Sequence, residues 1–121
     1  PPILSLAPVL ASLEIFDQVG IAALREKSVP LTAYLAWLID KKLKRHIQVI
    51  TPADSRGCQL SLRLRQPERG QDVQKRLLIR DVICDWREPD VIRVAPVPLY
   101  NRYSEVYRFV EILQELLGDE C

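Results

Sequence analysis

The chain has 121 residues, 48% hydrophobic and 27% charged, with a formal net charge of +1. That length points to one domain with a core of its own, and the apolar share excludes a disordered chain. The balanced charge argues against a dedicated nucleic-acid binder, and no uncharged apolar run reaches the ~18 residues of a membrane span. The nearest approach, residues 3–13, is short, is broken by Pro8 and lacks the preceding basic segment of a signal peptide.

The chain opens at Pro1 and contains no methionine, as expected of a processed or truncated piece of something longer. Cys58, Cys84 and Cys121 have no paired spacing, which favours a reducing, cytoplasmic setting over a disulfide framework. A single histidine, His46, and no Cys-x-x-Cys leave no metal-site signature.

Pro1 and Pro2 suit the first turn of a helix, and Leu6, Val9, Leu10, Leu13 and Phe16 recur at helical spacing. Residues 3–16 carry one charge, Glu14. A helix so apolar on every side is built for burial beyond what a small domain provides, in another domain or a second subunit, unless it is a plain core helix. After Gly20 a second helical pattern runs over residues 21–45, with Leu31, Tyr34, Leu35, Leu38 and Ile39 as its stripe. Asp40, Lys41, Lys44 and Arg45 face water, and Pro30 predicts a kink or break just before it. The cations from Lys41 to Arg45 read as a helix end complementing its dipole.

From Ile47 the period changes. Residues 47–51 read as a short strand stopped by Pro52, and residues 59–65 alternate polar and apolar as a half-buried strand does. Val73, Leu77 and Leu78 mark a helix that ends before Val82. Residues 82–87 and 91–95 predict two more strands joined by a tight turn at Glu88-Pro89-Asp90. Asn101 is placed to cap a last helix whose face is Val106, Phe109, Val110, Leu113 and Leu117. The order is two helices followed by β-β-α-β-β-α. The expected fold is a two-layer α+β domain over residues 47–121, with an antiparallel or mixed sheet and a helical arm over residues 1–46.

Catalytic kits are scarce. His46 closes a cationic helix end and makes a poor base for a Ser-His-Asp or Cys-His arrangement. Cys58 and Cys84 fall in strand patterns, as inert thiols do. Lys27, Lys41, Lys42, Lys44 and Lys75 lie on helices, mostly on wet faces, and no Gly-rich loop is available for phosphate. Arg93 stands out. It shares its strand face with Val91 and Ala95, whereas Arg63 and Arg65 belong to a polar outer face. A guanidinium in such a place takes a carboxylate through paired hydrogen bonds. That carboxylate is either a ligand's or an internal one, from Asp85 or Glu88 on the neighbouring strand. Pro96 and Pro98 fix the path out of the strand.

Several stretches resemble the C-terminal portion of kynureninase: Pro1-Pro2-Ile3-Leu4, Ala11-Ser12-Leu13-Glu14-Ile15-Phe16, Arg56-Gly57-Cys58-Gln59-Leu60, Val82-Ile83-Cys84-Asp85 and Ile92-Arg93-Val94-Ala95-Pro96-Val97-Pro98-Leu99-Tyr100-Asn101. They run in order along the whole chain, and the ten-residue stretch is the specific one. The resemblance implies the small domain of a pyridoxal-phosphate enzyme of the aspartate-aminotransferase fold (fold type I). It implies a homodimer in tryptophan breakdown that hydrolyses L-kynurenine, or its 3-hydroxy form, to anthranilate and L-alanine. It also implies that Arg93 holds the substrate's α-carboxylate. The family's cofactor lysine, its phosphate- and ring-gripping residues and a substrate-contacting Ser-Asn step would all lie upstream of Pro1, so the chain alone is expected to be inactive. Two other readings of the sequence are a lyase or desulfurase of the same fold, and a free-standing α+β module that binds a carboxylate or mediates dimerisation.

Overall fold

A computed structural model describes residues 2–118. The elements are α1 (Ile3–Val19), α2 (Ile21–Leu43), β1 (Ile47–Val49), β2 (Leu60–Leu64), a 3-10 turn (Pro67–Arg69), α3 (Gly70–Ile79), β3 (Asp85–Arg87), β4 (Val91–Val94) and α4 (Tyr103–Leu117). Pro1 and Cys121, both weighed above, lie outside the described residues. The order is the one the hydrophobic pattern predicts, and the α+β class holds.

The four strands form one antiparallel sheet in the order β1-β2-β4-β3. Register pairs Leu60 with Val94, Leu62 with Ile92 and Ile47 with Leu64, which sends all six side chains to one face, where they are buried. Leu31, Leu35, Leu38, Ile39 and Leu43 of α2, Val73 and Leu77 of α3, and Val106, Val110, Leu113 and Leu117 of α4 close over that face. The core is thus a single seam between a sheet and three helices. The alternation of β2 and the 3.6-residue period of α4 carry this arrangement directly from the sequence.

Several local expectations are corrected. α2 runs unbroken through Pro30, so the break considered there does not occur, and α1 likewise continues through Pro8. One lost backbone bond at Pro30 is offset by the buried leucines that follow it on α2. The chain bends at Gly20, where the sequence divides the two helical patterns; its φ of +82° suits only glycine at low cost, and the two helices there meet at 81°. No single described helix is long and apolar enough to cross a membrane.

Strand β3 begins at Asp85, not Val82, because α3 captures the backbone before it. The Val82 N–H donates to the Leu77 carbonyl (2.9 Å), and Gln74 Nε2 donates to the Cys84 carbonyl (3.1 Å). Strand β1 stops at Val49, since the Ser61 N–H turns to Thr51 Oγ1 (2.8 Å) rather than to a backbone carbonyl. Cys58 and Cys84 therefore lie in loops just ahead of strands, not within them. Asn101 does not cap α4; its Oδ1 accepts the Val97 N–H (2.7 Å), while the Glu105 carboxylate accepts the Arg102 N–H (2.9 Å) at the helix start.

The two halves of the arm behave differently. α2 is part of the core, whereas α1 has no buried residue, and Leu4, Leu6, Val9, Leu10 and Leu13 all stand more than half exposed.

Candidate functional site

The face of the sheet away from the helices carries Gln48, Ser61, Arg63, Asp85, Arg87, Val91 and Arg93. Register pairs Arg93 with Ser61 on one side and with Asp85 on the other. The expectation that Arg93 shares an apolar face is thereby corrected. Its own strand is apolar on both sides, but the neighbouring strands make the outer face polar, and Arg63 lies on the same face.

Of the two internal partners considered, the structure selects Asp85. Arg93 Nε donates to Asp85 Oδ2 (3.0 Å), and Arg93 Nη2 donates to the same oxygen. Arg87 Nε donates to it as well (2.8 Å). Glu88 is engaged elsewhere, accepting from Gln71 Nε2 (3.3 Å). Hydrogen bonding to Arg93, and then to Arg87, holds the Asp85 carboxyl below the usual carboxylate range. Arg63 pairs separately with Asp90 (3.3 Å), across the turn that joins β3 and β4.

A guanidinium has five N–H groups. Asp85 engages one on Nε and one on Nη2, and Nη1 makes no hydrogen bond among the described residues. The Arg93 side chain is 35% exposed, so its guanidinium is only partly covered. Two arginines and one aspartate leave this cluster a net positive charge. The arrangement can accept a further carboxylate, and the ion pair and the ligand site are not exclusive. Downstream the path is fixed: Pro96 is buried, and the Asn101 N–H donates to the Val97 carbonyl (2.8 Å), closing a turn against β4.

Arg87 was not anticipated from the sequence. The signal was present in Asp85-Trp86-Arg87, since alternation along a strand puts residues 85 and 87 on one face. Cys84, beside this cluster, has its thiol pushed up to about 11 by burial and by the Asp85 charge, the inert character expected of it. His46 sits in the turn after α2, its N–H bonded to the Leu43 carbonyl (2.8 Å).

Pyridoxal phosphate needs a lysine amine for its aldehyde and donors for its phosphate. Lys27, Lys41, Lys42 and Lys75 stand on helix surfaces, Lys44 follows α2 directly, and none is buried. A cleft of about 200 Å³ beside Pro96 is lined by Leu35, Ile83 and Phe109, with Asp81 and Glu105 as its charged groups. Neither these surface lysines nor this acidic cleft suits that cofactor.

The model of the kynureninase C-terminal domain family matches residues 24–113. The chain is 54% identical over 114 residues to a kynureninase of Xanthomonas euvesicatoria and 52% identical over 116 residues to one of Myxococcus xanthus. These matches cover 92% and 94% of this chain, which spans 27% of the length of either relative. Among solved structures, an alanine–glyoxylate aminotransferase from Nostoc sp. is similar with a TM-score of 0.71 at 18% identity, over 88% of this chain and 29% of that one. A C-DES mutant with glycine covalently linked to its PLP cofactor also gives 0.71, at 15% identity, over 90% of this chain and 27% of that one. The fold is that of the small domain of these enzymes, and the chain belongs to the kynureninase C-terminal domain family.

Proposed function

We propose that the chain is the C-terminal small domain (residues 1–121) of a kynureninase, in which Arg93 holds the α-carboxylate of the substrate. The observation that carries this reading is the part-exposed Arg93 guanidinium on the outer face of the sheet, its Nη1 free of hydrogen bonds among the described residues, in a cluster of net positive charge. A planar guanidinium binds a carboxylate through two parallel hydrogen bonds, so it sets the direction as well as the position of the amino acid. Holding that end fixes where the amine and the side chain of the substrate lie, which is the entropic part of catalysis.

In this reading the parent is a homodimeric, PLP-dependent hydrolase of tryptophan breakdown. It converts L-kynurenine, or the 3-hydroxy form, to anthranilate, or its 3-hydroxy form, and L-alanine. The relatives' names and the fold of the solved structures support it. The cofactor lysine and phosphate donors belong to the part of the parent outside this chain, and the chain alone is inactive. The bare apolar α1 packs on that large domain or on the partner subunit. The free thiols of Cys58 and Cys84 support a cytoplasmic setting.

The test is Arg93→Ala in the full-length protein, with anthranilate release followed by fluorescence. Hydrogen bonds to charged groups contribute about 1.5–3 kcal/mol, so KM for L-kynurenine should rise roughly 10- to 100-fold. Cofactor absorbance should be retained. An unchanged KM would refute the role of Arg93. A full-length protein that turns over another amino acid and releases no anthranilate would be a lyase or desulfurase of this fold instead.

A further inference from the structure

We propose that Asp85 is the positioning residue for Arg93, with Arg87 as its counter-charge, an inference that rests on the carboxylate-binding reading of Arg93. Arginine has a long side chain with several rotatable bonds, and on an open sheet face nothing in its own strand directs its head. Val91 and Ala95 flank Arg93 on that face, and neither can hydrogen-bond a guanidinium through its side chain.

Asp85 supplies the direction. It is the register partner of Arg93 on β3, so the two side chains rise from neighbouring strands on the same face. Its Oδ2 takes the Nε and Nη2 protons that lie along one side of the guanidinium, which turns that side toward β3. What remains unbonded is the end-on edge, with one proton on Nη1 and one on Nη2, and the second Nη1 proton beside Cδ.

A lone aspartate there would cancel the charge that a ligand carboxylate requires. Arg87 prevents this by bonding the same oxygen (2.8 Å), so the three groups together keep one positive charge. The short hairpin between β3 and β4 sets Asp85 opposite Arg93 and Arg87 opposite Val91, and the Arg63–Asp90 pair ties that turn to β2. In this arrangement Arg93 makes the contact with the carboxylate, and Asp85 and Arg87 aim and charge it.

The experiment uses the full-length holoenzyme and compares Asp85→Ala, Asp85→Asn and Arg93→Ala. Asp85→Ala should raise KM for L-kynurenine about tenfold, a larger change than the fall in kcat, with cofactor absorbance unchanged. Asp85→Asn keeps an accepting oxygen and should raise KM by only about a third as much. Asn also decides the matter if the alanine variant does not fold. Inhibition by the decarboxylated amine of the substrate, which lacks the α-carboxylate, should be the same in wild type and in either Asp85 variant.

If KM rises in Arg93→Ala but stays within twofold of wild type in the folded Asp85 variants, Asp85 has no positioning role and the function of Arg93 stands. If the decarboxylated amine is weakened equally, Asp85 acts elsewhere in the site and the proposal falls. If Arg93→Ala itself is without effect, the carboxylate-binding reading fails, and this inference fails with it.

Discussion

Replacing Gly70 with alanine tests how the outward cluster is supported from beneath. Gly70 opens α3 with φ −61° and ψ −46°, an ordinary helical conformation, so the backbone does not require glycine. Space does. A Cβ on Gly70 would overlap the outer indole atoms Cη2 and Cζ3 of Trp86 and lie 3.0 Å from Cζ2. Trp86 occupies the inner face of β3, between Asp85 and Arg87, and its ring packs against the core. Overpacking of this kind costs about 1–3 kcal/mol, whereas Ala in place of Gly gains up to about 1 kcal/mol in helix propensity. The net expectation is a loss of about 1–2 kcal/mol. Phenylalanine has a single ring and lacks the three crowding atoms. In a Trp86→Phe background, Gly70→Ala should therefore be neutral or stabilising by up to about 1 kcal/mol, a coupling of roughly 2 kcal/mol between the sites. Urea unfolding of all four chains, followed by far-UV circular dichroism, gives the cycle, provided m is constant. The same loss in both backgrounds would show that Trp86 is not what excludes a side chain at position 70.

Two further outcomes follow from the surface and the thiols. Because its pKa is raised to about 11, Cys84 stays protonated in the folded chain: near pH 8 only about one thiol in a thousand is ionised. Alkylation of Cys84, resolved by peptide mapping, should be slow in the native chain and rapid in urea. The sign is that of a group whose neutral form the fold favours. Its contribution to stability is complete below its ordinary value of 9.0 and is lost as pH rises from there through about 11. Equal alkylation rates in native and unfolded chains would contradict this. The exposed apolar α1 should make the isolated chain self-associate, and Leu6→Glu with Leu13→Glu should shift it toward monomer in sedimentation velocity. A chain that is monomeric at high concentration without these changes would show that α1 is covered in some other way.

The element order and the core face were legible in the sequence because both are periodic. The polar–apolar alternation of residues 59–65 allows one inward set, Leu60, Leu62 and Leu64, and the spacing of Val106, Val110, Leu113 and Leu117 allows one buried stripe on α4. Arg93 was legible as the residue out of place, since a guanidinium in an apolar strand demands a partner. Which partner it takes was not. The choice between Asp85 and Glu88 depends on strand register, and register is settled by pairing between segments rather than within one. The same holds for the late start of β3, where contacts from α3 outcompete the sheet for the backbone of residues 82–84. It holds equally for the polarity of the face around Arg93, which Ser61 and Asp85 bring from other strands. Periodicity within a segment determines what faces the core. Only the packing of segments against one another decides which charged groups meet on the face that is left.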